Sequence, residues 1–265
     1  MPSTSSNPIA VALKRSQQRL LQRRDASVHW VRQRLGLNRP KPSGRVVVLI
    51  HGLSMPSAQM IPMARGLAHQ GRLTKNLTYR HLFEDVPETA LHIAEQLRAL
   101  GVEEFDAITH SMGAIVLRWA LNHAEELPRL RRAVMIAPPS NGAWIAGHLH
   151  HRLGPGFPLI FGQAGVQMRK RSQGVACIAG TLPDSEVGVI AGGAGSPMGL
   201  RNWFKIPGDC DGTVAVEETV FPGMKDFMLL PSSHTWLPFH RDAVRLSATF
   251  LEHGVFRPGA RRRSH

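Results

Sequence analysis

The stretch FDAITHSMGAIV, Phe105–Val116, puts a serine at the joint between two apolar runs. Further on, GDCDGTV, Gly208–Val214, carries two aspartates, and DFMLLPSSH brings His234 directly after another apolar run. A serine hydroxyl is a weak nucleophile until a base takes its proton. A histidine can be that base, and a carboxylate behind it can fix the imidazole tautomer and stabilise the imidazolium as it forms. Ser111, one of Asp209 and Asp211, and His234 are therefore the right types for attack on a carbonyl carbon. Taken alone, Ser111 reads equally as a helix cap or turn serine. The same chemistry needs backbone N–H groups where negative charge develops. Met112, just after the serine and at the head of a helix, can give one, and Leu53, just after His51-Gly52, can give the other. Losing one such donor costs about 3–4 kcal/mol of transition-state stabilisation.

These residues need elements to hold them. RVVVLIHG, Arg45–Gly52, is a continuous β-branched run ending in glycine, the pattern of a strand buried on both faces. QMIPMARGLAHQG reads as a helix ending at Gly71, and LTKNLTYR as a second strand. VPETALHIAEQLRALG is an amphipathic helix with Pro87 near its start and Gly101 at its end. FDAITHS is a third strand, followed by the helix MGAIVLRWALNHAEEL, and RRAVMIAPP is a fourth strand. Residues 140–186 mix helix and turn signals and are placed over the site. VGVIAGG reads as the fifth strand, with VACIAG as its rival. DFMLLPSSH is the last strand, and FHRDAVRLSATFLEHG the closing helix. Strands alternating with helices predict an α/β fold with a mostly parallel central sheet and helices on both faces. Ligands then sit at the carboxyl ends of the strands, where Ser111, Asp211 and His234 fall in that order.

Four segments, VLIHGL, THSMGA, GDCDGTVAVEET and LPSSHTWL, occur in the order of one known family. The sequence resembles a small lipase/esterase-type serine hydrolase of the α/β-hydrolase superfamily over about residues 45–256. The segments resemble, in turn, that family's oxyanion loop, nucleophile elbow, acid loop and histidine loop. The resemblance implies a single α/β-hydrolase domain with Ser111 as nucleophile, Asp211 as acid and His234 as base. It implies hydrolysis of carboxylic esters through an acyl-enzyme, with no metal or cofactor. Asp211 is preferred to Asp209 because the family's acid precedes glycine in a D-G-x-V turn. His110 lies within the elbow, where the family commonly has a non-catalytic histidine, and His240 near a helix start reads as a surface residue. One departure stands out: the elbow pattern is G-x-S-x-G, and its first position here is Thr109, while Gly113 is retained. Thioesterases, amidases and acyltransferases use the same triad, and a non-catalytic scaffold would share the fold without needing it.

The substrate implied is a small-molecule or lipid acyl ester of apolar character. His51, Trp144 and Trp236 are assigned to substrate contact, with His51 shaping its loop rather than acting as a base. Met55, Met60 and Leu237 could line an acyl pocket or equally be core.

Composition narrows the classes. Hydrophobic residues are 43% of the 265, enough for a sizeable core. No apolar run reaches the roughly 18 residues of a membrane span. No secretory signal is evident, and the two cysteines, Cys177 and Cys210, have neither metal-ligand nor disulfide-framework spacing, so a cytoplasmic setting is expected. The formal net charge of +13 is carried entirely by the ends. Residues 1–45 hold ten Lys/Arg against one acid, Asp25, and residues 254–265 hold four arginines and no acid. A neutral body with basic arms disfavours a nucleic-acid-binding fold. The expected division is a basic N-terminal helix (Ile9–Leu37) and linker over 1–44, the hydrolase domain over 45–256 and a basic tail over 257–265. The helix, with Trp30 and a Leu/Val stripe among arginines, can pack on the body or lie peripherally on an anionic membrane surface.

Overall fold

The computed structural model describes residues 45–80, 83–169, 174–193 and 206–258. They belong to one compact unit, Gly44–His265. The basic helix and linker expected over residues 1–44, and the tail beyond residue 258, lie outside the described residues.

Six strands form one sheet: β1 (Val46–Ile50), β2 (Leu73–Leu77), β3 (Glu104–His110), β4 (Arg129–Ile136), β5 (Glu186–Gly192) and β6 (Met224–Leu230). Every pairing is parallel, in the order β2-β1-β3-β4-β5-β6. The β-branched run of β1 shows why: Val47 and Leu49 join one buried cluster, while Val48 and Ile50 join the other. A strand apolar on both faces needs helices on both. α1 (Ile61–Ala68) and α8 (Arg241–His253) cover the first face with Met63, Leu67, Leu246 and Phe250. α2 (Val86–Arg98) and α3 (Met112–His123) cover the second with Ile93, Leu97, Ile115 and Leu117. Each fully buried side chain of this kind stabilises the fold by roughly 1.5–3 kcal/mol.

Local chemistry sets the helix ends. Asp85 accepts the Glu88 N–H at 2.9 Å and Glu88 accepts the Asp85 N–H at 3.1 Å, a reciprocal cap that starts α2. His240 caps α8 by accepting the Asp242 N–H at 3.2 Å, so this histidine serves the helix start.

VGVIAGG forms β5, as expected, whereas its rival VACIAG contributes to a short helix, α6 (Val175–Ile178). The segment after β4 forms two helices, α4 (Trp144–Leu153) and α5 (Phe157–Gln167), joined by Gly154-Pro155-Gly156. The short helix α7 (Val216–Thr219) precedes β6. Met60 and Leu237 are fully buried in the core beneath α1 and α8, which settles them as packing residues. Among the described residues no helix is long and apolar enough to cross a membrane.

The strand order also creates a place for a ligand. From β1 the chain goes to β2 on one side, then crosses to β3 on the other. That reversal opens a crevice at the carboxyl ends of β1 and β3.

Candidate active site

Ser111 sits between the end of β3 and the first residue of α3, at φ 52° and ψ −125°. A side-chain-bearing residue avoids this backbone region, and holding one there costs about 1–3 kcal/mol. The surroundings impose it. The Ser111 N–H donates to the Ile136 carbonyl at 2.8 Å, and the Ser111 carbonyl accepts the Ala114 N–H at 3.0 Å. Gly113 lets α3 come down on β1: a Cβ there would lie 2.6 Å from the His51 carbonyl oxygen and 2.8 Å from that of Ile50. Thr109, the departure from the elbow pattern, is still a strand residue, paired with Ile50 and Met135 and fully buried. The positive φ falls on Ser111, two residues later, so a β-branched residue suits the position.

The acid and the histidine come from the loops after β5 and β6. Asp211 is 1% exposed. Its Oδ1 accepts the N–H groups of Thr213 (2.9 Å) and Val214 (2.7 Å), and its Oδ2 lies 2.7 Å from His234 Nδ1. The His234 N–H donates to the Asp211 carbonyl at 3.0 Å, so backbone and ring are tied to the same residue. Gly192 makes room for this meeting, since a Cβ there would stand 2.5 Å from the Ser232 carbonyl oxygen and 2.7 Å from Asp211 Cβ. Asp209 turns instead to the backbone: its side chain accepts the Cys210 N–H at 3.0 Å and its carbonyl the Val216 N–H at 2.8 Å. With Nδ1 donating to the carboxylate, His234 Nε2 is left as the acceptor, the tautomer that can take a proton.

His110 lies behind His234. Its Nε2–H donates to the His234 carbonyl at 3.1 Å, and the two rings are 4.7 Å apart. Burial, then the charge of the neighbouring His234, holds its pKa well below the ordinary value, so His110 stays neutral.

Ser111 and His234 border one cavity of about 270 Å³, together with Leu53 and Met112. The backbone N–H groups of Leu53 and Met112 have no hydrogen-bond partner among the described residues. Met112 N–H also benefits from the positive end of α3. The far walls are apolar and come from the two helices after β4: Ile145, Ala146 and Leu149 of α4, Phe157 and Phe161 of α5. Residues 143–168 thus wall the cavity over the strand ends.

The three residues assigned to substrate contact are not among those bordering the cavity. His51 is 2% exposed, and its ring stacks on Tyr79 at 4.2 Å. Trp144 stacks on His148 at 4.7 Å, with its backbone N–H donating to Glu218 at 2.7 Å, at the root of α4. Trp236 is 62% exposed and packs against Phe239 at 5.4 Å.

No family model matches the sequence, and no curated protein matches it. The likeness to known proteins is in the backbone. A lipase from Bacillus licheniformis in its mature form superimposes with a TM-score of 0.59 at 17% identity, covering 75% of this chain and 88% of that one. The chain has the α/β-hydrolase fold. A metagenomic carboxyl esterase matches with a TM-score of 0.53 at 17% identity, over 76% of this chain and 69% of its own. A structure from a study of carboxylesterases of the thaumarchaeon Nitrososphaera gargenis matches at 0.53 and 14% identity, over 82% and 93%. At such identities the likeness shows the fold alone, and the chemistry of this chain rests on its own residues.

Two buried residues of this chain were not singled out from the sequence. Glu218, 1% exposed, accepts the Trp144 N–H through Oε1 and the Ala215 N–H through Oε2, at 2.7 and 3.0 Å, and so clips the cap to the acid loop. Tyr79, the chain's single tyrosine, follows β2 and donates its hydroxyl to the His51 carbonyl at 2.6 Å. Ile145, Leu149, Phe157 and Phe161, which border the cavity, lie in the segment of mixed helix and turn signals, and none of the four was singled out from the sequence.

Proposed function

We propose that the chain is a serine hydrolase that cleaves carboxylic esters of apolar acyl groups through an acyl-enzyme intermediate. The observation that carries this is the convergence on one apolar cavity of a strained serine and a histidine bonded to a buried carboxylate. Ser111 Oγ attacks the ester carbonyl while His234 Nε2 takes its proton. Asp211 keeps Nδ1–H in place and stabilises the imidazolium. The amides of Leu53 and Met112 hold the oxyanion. His234 then gives the proton to the leaving alcohol, and next activates a water that releases the acid. The hydrophobic walls from α4 and α5 receive the acyl chain. The lipases and carboxylesterases among the similar folds support the reading.

The test is a serine-reactive phosphonate, with the adduct located by peptide mass. Labelling at Ser111 that disappears in Ser111→Ala and His234→Ala is the expected result. A folded sample that takes up no probe would sink the hydrolase reading in favour of a non-catalytic scaffold.

A further inference from the structure

The oxyanion amide of Leu53 is useful only if its peptide is held in one orientation. That peptide is trans, so the Gly52 carbonyl and the Leu53 N–H point in opposite directions. The carbonyl is pinned: His51 Nδ1–H donates to it at 2.9 Å. Fixing the carbonyl toward the imidazole fixes the N–H away from it, and Leu53 itself borders the cavity.

Tyr79 contacts both the imidazole and the backbone of His51. The Tyr79 ring lies parallel to the His51 ring, 4.2 Å between centroids and 9° between planes. The Tyr79 hydroxyl donates to the His51 carbonyl at 2.6 Å. That same carbonyl is the atom the elbow glycine abuts, 2.6 Å from where a Gly113 Cβ would stand. Tyr79 is itself anchored through its neighbour: the Thr78 N–H donates to Gln96 Oε1 at 3.2 Å, and Gln96 Nε2 donates to the Thr78 carbonyl at 2.8 Å. Burial raises the Tyr79 pKa, so the phenol keeps the proton it donates.

We propose that Tyr79 is a positioning residue for the oxyanion-binding amide of Leu53, acting through the ring and carbonyl of His51. The proposal rests on the ester-hydrolase reading and deepens it. Its signature is kinetic. A displaced oxyanion donor weakens the transition state and leaves ground-state binding alone, so kcat falls and KM does not.

Tyr79→Phe keeps the stacked ring and deletes the hydroxyl. The readouts are kcat and KM on a short-chain p-nitrophenyl ester, the rate of phosphonate labelling at Ser111, and a thermal melt. The expected result is a fall in kcat of about tenfold to a hundredfold. KM should stay within about twofold, labelling should slow in parallel, and the melt should remain cooperative. His51→Phe, which keeps a flat ring but loses the donor to Gly52, should show the same split and covers the case in which Tyr79→Phe does not fold. Folded variants with wild-type kcat and labelling rate overturn the proposal, as does a loss confined to KM or accounted for by a smaller folded fraction. Wild-type protein that is not labelled at Ser111 fails the hydrolase reading itself, a result separate from either variant's behaviour.

Discussion

On the sheet side of the cavity, position is set by the backbone. Ser111 is fixed by hydrogen bonds to Ile136 and Ala114 and by a glycine that brings α3 onto β1, and His234 by the hydrogen bond its N–H donates to the Asp211 carbonyl. On the cap side, position is set by packing. Phe157 and Phe161 lie against each other at 4.8 Å, and Ile145 and Leu149 are presented by a helix whose root is tied down by Glu218. The difference separates what the two walls can specify. Backbone hydrogen bonds hold reacting atoms to a fraction of an ångström, as a transition state requires. Side-chain packing tolerates exchange of volume, which suits a wall that selects among acyl chains.

Substitutions on the two sides should therefore fail differently. Asp211→Asn leaves the fold nearly intact but favours the wrong tautomer of His234, and kcat on an acyl ester should fall by about 10⁴-fold with little change in KM. Steady-state kinetics at saturating ester check this; a drop under tenfold would mean that Asp211 holds the loop and nothing more. Phe161→Ala, on the cap, should keep phosphonate labelling at Ser111 while shifting the ratio of kcat/KM for long against short acyl esters toward the longer by about tenfold. An unchanged ratio would place the acyl chain elsewhere. The smallest effect concerns His110, which lies on the sheet side behind His234. Folding keeps it neutral, whereas the unfolded chain protonates its histidines near pH 6.5. The unfolded state then binds more protons below that pH, so stability rises with pH through this range and is lost on acidification. Urea melts at pH 7 and pH 5 should show a loss in the wild type that is about 1 kcal/mol smaller in His110→Gln.

The sheet side was also the legible side. β1 announces itself as a β-branched apolar run, and Ser111 and His234 come just after apolar runs that end at the sheet's carboxyl edge. Thr109 looked anomalous only because the turn was counted from it; the strain sits at Ser111. The cap resisted reading for a physical reason. α5 is apolar on both its faces, with Phe157 and Phe161 turned to the cavity while Leu159 is 87% and Ile160 54% exposed, so no amphipathic stripe marks it. VACIAG has the composition of a buried strand and forms a short helix, a distinction that periodicity cannot make over so few residues. His51, Trp144 and Trp236 have the size and chemistry of substrate contacts, but stacking and helix-root hydrogen bonds occupy the first two. Tyr79 and Glu218 also hold groups far away in sequence, the His51 carbonyl and the Trp144 N–H, and nothing in their local spacing reveals those two partners.

The strand order has a temporal side. Ser111 follows β3, Asp211 follows β5 and His234 follows β6, the outermost strand on its edge of the sheet. Parallel neighbours need a crossover between them, so none of these residues can meet until the intervening helices have docked, and such non-local contacts form late and slowly. During synthesis the serine emerges first and stays inert until β6 has zipped onto β5. On the proposed reading the base is the last part delivered, and a half-made chain then lacks the means to cut an ester.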